Sequence, residues 1–388
     1  MSRRAAVAIR FMRDFARASE VVTRAAKPTY RALHQIHHGL SQVVPGLISP
    51  TPRQLTIAVT AFCNLRCIGC NYGRDFMHGQ QLSWRALKGA IDDAKWAGIE
   101  TVRFYGGEPL LHPRLADAVR HAAESGLTPY ITTNGLLLRQ KIDSLYDAGL
   151  RLVTIGFYGE EEHYDAYTQR PGRYRLLHES LSYLRANYGR ELELQLNFVL
   201  IKSSGTVRAL DEAWQFARKF DMHLHVDLAN TSAPFFDTTG QSLGFDESDR
   251  AALNDIAARL LELKRQYPRL VVHSEAFLAS IPDWVILGRD MRVACDAYQM
   301  VWIGADGTVQ LCDVTFPLGN INVTPLKDIL FTPEHGEAAQ RAFKLDCPNC
   351  TCKVETRIQN SFKSYRKYNT CAQGLARASL AKAGGTPT

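Results

Sequence analysis

The stretch LTIAVTAFCNLRCIGC, residues 55–70, begins as an apolar strand and ends in three cysteines. Cys63, Cys67 and Cys70 have the spacing Cys-x3-Cys-x2-Cys and form what we call the cysteine triplet. A [4Fe-4S] cluster has four irons, so three thiolates hold it and leave one iron open to a further ligand. The competing interpretations are buried structural cysteines or a zinc site, but structural zinc sites use four ligands, often in Cys-x2-Cys pairs. The triplet therefore favours an open iron–sulfur site.

A second motif, Gly106-Gly107-Glu108-Pro109, follows another strand-like run, and we call it the glycine motif. Two glycines let a backbone approach a ligand closely, and the proline keeps Glu108 extended. Glycine-rich turns after strands are common, so this motif alone carries little weight. In this order, however, the cysteine triplet and the glycine motif resemble the radical S-adenosylmethionine (radical SAM) superfamily.

The resemblance implies a cofactor for both motifs. In radical SAM proteins the triplet binds a [4Fe-4S] cluster whose open iron chelates S-adenosylmethionine (SAM), and the glycine motif lies against the methionine amino group. Glu108 then accepts a hydrogen bond from that ammonium. An aromatic residue often precedes the third cysteine, near the adenine. This chain has Gly69 there, so the adenine contact is expected from Tyr72 or Phe76.

Six strand-like runs alternate with amphipathic, helix-like segments of ordinary length. The runs are Leu55–Val59, Thr101–Tyr105, Tyr130–Thr132, Leu152–Phe157, Leu194–Val199 and Leu224–Leu228. Such alternation predicts an α/β fold with a parallel sheet covered by helices, curled into a partial (β/α)6 TIM-like barrel of the kind radical SAM proteins use. Because loops after barrel strands bind ligands, both motifs are expected at one mouth of the barrel.

Three polar residues near strand ends are further candidates for SAM contacts. Thr133 and Asn134 lie where related enzymes often contact SAM, although Asn134-Gly135 is equally typical of a simple turn. Asn197 faces either the barrel mouth, where it would meet the ribose, or solvent. The acidic residue that many relatives have at the end of the fourth strand is absent or moved in residues 154–160.

Six of the nine cysteines lie in the last quarter of the chain: Cys295, Cys312, Cys347, Cys350, Cys352 and Cys371. Their spacing, with Gly307 five residues before a cysteine and a Cys-x2-Cys turn, resembles the SPASM/Twitch extension that carries auxiliary iron–sulfur clusters. The resemblance implies one auxiliary [4Fe-4S] cluster in a small C-terminal domain, with the ligands Cys295, Cys312, Cys347 and Cys350. The alternatives are a second cluster that uses Cys352 and Cys371, or a zinc site built from the same four cysteines.

The chain is therefore expected to have five parts. Residues 1–50 form a basic, amphipathic helical extension, and 51–230 form the partial barrel. Residues 231–290 form a bridging segment, 291–371 form the auxiliary cluster domain, and 372–388 are an Ala/Gly/Lys-rich tail expected to be disordered.

The net charge of +7 comes almost entirely from the amino terminus, where residues 1–31 carry eight basic side chains against Asp14 and Glu20. The nearly neutral remainder argues against nucleic-acid binding. The amino-terminal helix either contacts an anionic membrane surface or packs on the barrel. No stretch suits a signal peptide or a membrane span, so the expected location is the cytoplasm, with the membrane periphery as the alternative.

Taken together, the sequence predicts a radical SAM oxidoreductase that forms a 5'-deoxyadenosyl radical and abstracts hydrogen from a substrate. An auxiliary cluster favours an oxidation, either a dehydrogenation or a cross-link. The substrate class stays open between a small molecule, a peptide and a lipid, and the electron donor is expected to be a flavodoxin or ferredoxin. The alternative function is a non-catalytic iron–sulfur electron carrier or redox-sensing scaffold.

Overall fold

The computed structural model describes residues 20–72, 74–230, 232–236 and 243–384. All six predicted strands are present. They are β1 (Gln54–Thr60), β2 (Thr101–Gly106), β3 (Thr128–Thr133), β4 (Leu152–Phe157), β5 (Glu193–Leu200) and β6 (His223–Leu228). Neighbouring strands of this set pair in parallel, in the order in which they follow in the chain. The predicted α/β fold with a partial barrel is therefore confirmed.

Thirteen described helices accompany the strands. In the barrel half they are α1 (Glu20–Val43), α2 (Trp84–Trp96), α3 (Leu115–Glu124), α4 (Leu138–Asp147), α5 (Glu161–Thr168), α6 (Arg173–Tyr188) and α7 (Val207–Lys219). Farther along are α8 (Arg250–Gln266), α9 (Glu275–Leu287), α10 (Leu326–Ile329), α11 (Pro333–Phe343), α12 (Val354–Asn360) and α13 (Phe362–Gly384). Buried apolar residues of strands and helices form one large core between them, which fixes the strand ends that carry the motifs.

The C-terminal part extends the same sheet. Strand β7 (Met300–Ile303) pairs in parallel with the free edge of β1, and β8 (Thr308–Gln310) and β9 (Pro317–Asn320) follow in antiparallel. Every residue of β7 is buried. The sequence does not predict these strands, because three or four residues are too few to show a period. The auxiliary cysteines are thus attached to the barrel by a continuous sheet.

The part of the sheet formed by β1 to β6 curls, which brings β2 and β6 close to each other across its interior. Arg103 on β2 acts electrostatically on Asp227 of β6, although three strands separate them in the sheet. The gap between β6 and β1 is crossed by residues 350–353, which we call the closing segment. Thr351 Oγ1 donates to the carbonyl of Leu228 at the end of β6 (3.2 Å). Lys353 Nζ donates to Gln54 Oε1 at the start of β1 (3.3 Å).

The ends of the chain differ from expectation in one respect. Helix α13 runs to Gly384, and Ala372 is buried, so the prediction of a disordered tail is wrong for residues 372–384. The run is rich in alanine, the best helix former. At the other end, residues 1–19 of the predicted amino-terminal extension lie outside the described residues. Within the described ranges, no helix combines the length and apolar character that crossing a membrane requires.

Candidate active site

The glycine motif packs directly against the loop that carries the cysteine triplet. Gly107 N donates to the carbonyl of Thr60 (2.9 Å), and Glu108 N donates to the carbonyl of Phe62 (2.8 Å). A Cβ on Gly106 would lie 2.2 Å from Thr60 O, and one on Gly107 would lie 2.4 Å from Phe62 O. The glycines are therefore required for contact between two loops, a reason different from the close approach to a ligand that the sequence suggests.

The three thiols of the triplet lie near one another and are partly buried. Burial raises the pKa of Cys63 to about 12, and the pKa of Cys67 and of Cys70 also rises through burial. The charge of Cys70 adds to the rise at Cys63 and at Cys67, which shows how close the thiols are. Buried thiolates need a cationic partner, and iron supplies one. The residues therefore fit a cluster held by three cysteines.

No three or more His, Cys, Asp or Glu side chains among the described residues converge tightly enough to hold a single metal ion. Convergence of the side chains on one point is a requirement for binding a single ion. A cubane cluster takes each thiolate at a different corner, so its ligands need not converge on one point.

Glu108 is fully buried and connects the end of β2 to the end of β3. Its Oε1 accepts from Leu110 N (3.0 Å) and Thr133 Oγ1 (2.7 Å), and its Oε2 accepts from Asn134 N (2.8 Å). Burial raises the pKa of Glu108 to about 7, against the opposing effect of these hydrogen bonds. All three donors come from the protein itself. The expected bond from the SAM ammonium stays a prediction.

Thr133 and Asn134 belong to this same arrangement. Asn134 Nδ2 donates to Asn64 Oδ1 (2.7 Å), inside the cysteine loop, while Asn134 Oδ1 accepts from Leu136 N (3.1 Å). Gly135 has φ +80, so the turn that the sequence suggests is present. No motif marks Asn64, although its position directly after Cys63 could have drawn attention to it. The β3 turn is thus tied to the cluster loop.

Tyr72 and Asn197 lie on different walls of the site. Tyr72 is buried beside Cys70, and its ring packs on Phe76 and Phe235, both at 5.4 Å between ring centres. Asn197 is nearly buried and accepts from Gln195 Nε2 (3.0 Å). The aromatic group therefore lies next to the third cysteine, and Asn197 is buried rather than solvated. Their contacts with SAM stay predictions.

Five of the six C-terminal cysteines line one small pocket: Cys295, Cys312, Cys347, Cys350 and Cys352. Cys371 lies elsewhere, exposed on α13. Burial raises the pKa of Cys295 to about 12 and that of Cys312 well above its usual value. A thiol-lined pocket whose buried thiolates need a cationic partner fits an auxiliary cluster. The structure separates Cys371 from the other five thiols.

Arg357 lies fully buried beneath this pocket. Its guanidinium donates to the carbonyls of Val293 (3.1 Å from Nε) and Cys350 (2.7 Å) and to Asn349 Oδ1 (2.9 Å). The positive charge of Arg357 lowers the pKa of Cys295, against the larger effect of burial. One buried cation thus holds the Cys-x2-Cys turn and favours thiolates in the pocket.

Cys352 lies in the wall between this pocket and the barrel interior. Its thiol donates to Asp313 Oδ1 (3.0 Å) and accepts from Asn230 Nδ2 (3.3 Å), just after β6. The structure therefore brings to the pocket a fifth cysteine, with partners of its own. Because Cys352 belongs to the closing segment, the auxiliary pocket adjoins the space inside the barrel.

The barrel interior carries polar side chains that no motif marks. Asp227 keeps solvent access, yet burial raises its pKa, so it faces an internal space rather than the outer surface. Arg103 donates from Nε to Thr132 Oγ1 (2.9 Å) and covers the Tyr105 ring at 4.9 Å. His225 pairs in register with Asn197, and in the described part of the chain its buried Nδ1 has no hydrogen-bond partner. These residues lie between the two cysteine sites.

Two family models match the chain. The radical SAM superfamily model covers residues 57–202, and the SPASM iron–sulfur cluster-binding domain model covers residues 295–353. Among curated proteins, a PqqA peptide cyclase of Bradyrhizobium diazoefficiens is 30% identical over 55% of this chain and 53% of its own length. A GTP 3',8-cyclase of Chlorobaculum tepidum is 36% identical over 38% of this chain and 44% of its own length. The chain thus spans about half the length of these relatives.

Solved structures share the fold at low sequence identity. The enzyme anSMEcpe with bound AdoMet superposes with a TM-score of 0.61 at 16% identity, over 86% of this chain and 99% of that chain. SuiB of Streptococcus suis, bound to the precursor peptide SuiA, has a TM-score of 0.57 at 15% identity, over 82% of this chain and 71% of that one. The expected cofactors, SAM and [4Fe-4S] clusters, are those of the two matching families. The chain belongs to the radical SAM superfamily and carries a SPASM auxiliary-cluster domain.

Proposed function

We propose that this protein is a radical SAM enzyme that oxidises a peptide, by dehydrogenation or by forming a cross-link. The observation that carries the proposal is the closing segment, which places a wall of the auxiliary cysteine pocket on the barrel interior. An electron released by a substrate in the barrel would therefore have an acceptor site close by. Peptides are named as substrates or bound ligands of several similar proteins, including the PqqA peptide cyclase, SuiB and anSMEcpe.

Each cofactor would be held by residues already described. The cysteine triplet would hold the cluster with the open iron, and the auxiliary ligands would be Cys295, Cys312, Cys347 and Cys350. When bound, the first cluster and SAM supply a 5'-deoxyadenosyl radical, and the auxiliary cluster supplies an electron acceptor. The role of the glycine motif and Glu108 is to fix the cysteine loop against the β3 turn, so that the SAM-facing backbone is preorganised.

The charges of the interior favour a peptide over a nucleotide. Arg103 and Asp313 act electrostatically on Asp227, Asp296 acts on Lys353, and burial keeps the pKa of His225 well below its usual value. The interior is thus close to neutral. A nucleoside triphosphate, the substrate type that the name of the GTP cyclase indicates, brings several negative charges and needs a clear excess of cations. An uncharged peptide segment needs none.

The first experiment needs no substrate. The protein is reconstituted with iron and sulfide without oxygen, then given SAM and dithionite, and 5'-deoxyadenosine is measured by chromatography with mass detection. We expect its formation in the wild type and its loss in Cys63→Ala, with the auxiliary cluster retained in both. A wild-type protein with full iron and no 5'-deoxyadenosine would contradict the proposal and favour an electron carrier.

The second experiment tests the substrate class. Candidate peptides, above all those encoded beside the gene, are compared with GTP for stimulation of 5'-deoxyadenosine formation and for a product that has lost two hydrogens. A flavodoxin or ferredoxin replaces dithionite in a parallel set, since one of these is the proposed reductant. Turnover of GTP without turnover of any peptide would overturn the assignment of a peptide substrate.

A further inference from the structure

Helix α1 and the turn after it expose a line of large apolar side chains, which we call the apolar stripe. Its members recur at alternating steps of three and four residues: Leu33 (62% exposed), Ile36 (60%), Leu40 (56%), Val43 (82%) and Leu47 (45%). This spacing puts the first four, which lie in α1, on one face of the helix, and Leu47 follows in the turn. Such continuous exposure of apolar surface marks a site of interaction rather than scattered surface residues.

The orientation of α1 is fixed by contacts on the face opposite the apolar stripe. The opposite face of α1 is anchored to the body, where Gln35 Nε2 donates to the carbonyl of Gln359 (2.8 Å) and Arg31 donates to Tyr365 OH. His38 is buried against the Phe343 ring at 5.0 Å, and Ser41 is fully buried. These contacts fix which face points outward, so the stripe belongs to the folded protein.

The charge of the adjoining sequence decides between two occupants. Residues 1–31 carry eight basic side chains and two acidic ones. Two copies that met through α1 would bring two strongly positive segments together, which is unfavourable. An anionic lipid surface would instead attract the same segment, at a gain for each Lys or Arg near the surface. In the sequence alone, Met12, Phe15 and Val22 are also spaced at helical intervals.

We propose that α1 lies along an anionic membrane surface, with the apolar stripe among the acyl chains and the basic residues of 1–27 at the headgroups. A helix of this kind binds in the plane of the interface, and its affinity combines buried apolar area with attraction to anionic lipid. The inference is independent of the proposed reaction, because no residue of the stripe belongs to either cysteine site. It would place the enzyme at a lipid surface without a membrane span.

The test is flotation of the reconstituted full-length protein with vesicles. Phosphatidylcholine vesicles are compared with vesicles that contain about one-third phosphatidylglycerol. We expect binding to the anionic vesicles that weakens with added salt, and little binding to the neutral ones. The variant L33S/I36S/L40S should lose about tenfold or more of its bound fraction. The matched control V272S/L287S/V323S makes the same type of change at exposed positions elsewhere and should bind like the wild type.

A charge variant and two measurements of integrity complete the design. R10Q/R13Q/R17Q should reduce anionic binding and its salt dependence without touching the stripe. Iron content and circular dichroism identify a variant that has misfolded. In that case the single change Leu33→Ser, together with the charge variant, carries the test. Equal binding to neutral vesicles, or unchanged binding of both variants, would overturn the proposal. Light scattering that shows a dimer abolished by L33S/I36S/L40S would overturn it in favour of a second copy of the chain.

Discussion

Replacement of Gly107 by alanine should disable the site while leaving the auxiliary cluster intact. The new Cβ would lie 2.4 Å from Phe62 O and 2.5 Å from Ala61 O, about 1 Å inside the 3.4 Å at which ordinary contact begins. Both neighbours are backbone atoms, so the two loops must move apart. The bonds from Gly107 N to Thr60 O and from Glu108 N to Phe62 O would be lost or stretched. Two buried donors left unpaired cost about 2–6 kcal/mol.

The assay compares Gly107→Ala with Gly336→Ala, a glycine with no atom within 4 Å of an added Cβ. We expect Gly107→Ala to lower the free energy of unfolding even without SAM, and to reduce 5'-deoxyadenosine formation at least about a hundredfold, because an error of about 1 Å in positioning has that effect. Gly336→Ala lies inside helix α11, so it should not lower the free energy of unfolding, and it should leave 5'-deoxyadenosine formation unchanged. If Gly107→Ala keeps wild-type stability and iron without SAM, and loses only SAM affinity, the glycine serves ligand approach and the loop-packing explanation is refuted.

Three further predictions concern single residues. The folded-state pKa of Glu108, about 7, exceeds the ordinary 4.5, so the folded state binds more protons between these values. The unfolding free energy of the wild type relative to Glu108→Gln should therefore fall by about 3 kcal/mol as the pH rises from 4.5 to 7; a pH-independent difference in denaturant titrations would contradict this. Cys347→Ser should lower the iron content by one cluster whereas Cys371→Ser should not, and equal iron in both variants would exclude Cys347 as a ligand. Asp227→Asn should preserve SAM cleavage without substrate but weaken substrate-stimulated cleavage about tenfold or more. Unchanged stimulation by substrate would show that Asp227 does not face the substrate.

The parts of the fold that sequence predicts are those with local signals. Strands β1 to β6 are apolar runs bounded by polar turns, and each predicted run lies within one or two residues of the observed strand. The cysteine triplet and the glycine motif are each a single short stretch of sequence. Their positions after β1 and β2 therefore follow from the positions of these strands alone. Helix α13 contradicts the expectation for residues 372–384, because the helix propensity of alanine outweighs the low complexity of this stretch.

The interior of the barrel could not be predicted in the same way. Arg103 and Asp227 are far apart in sequence and meet only because the sheet curls. Each occupies an ordinary alternate position of its strand, where a solvated side chain would give the same pattern. The closing segment is equally hidden, since its bonds to Leu228 and Gln54 join regions more than a hundred residues apart. Long-range contacts of this kind leave no periodic pattern in the sequence from which they could be predicted.

The auxiliary pocket and the closure of the barrel depend on one another through Arg357. Its guanidinium binds the carbonyl of Cys350, where the closing segment begins, and the carbonyl of Val293 before Cys295. The closing segment in turn reaches β6 through Thr351 and β1 through Lys353. A cluster bound by Cys295 and Cys350 would therefore stiffen the same segment that encloses the substrate space. Under the proposed function, the auxiliary site would therefore act on the substrate in two ways, by accepting an electron and by holding shut the wall against which the substrate would lie.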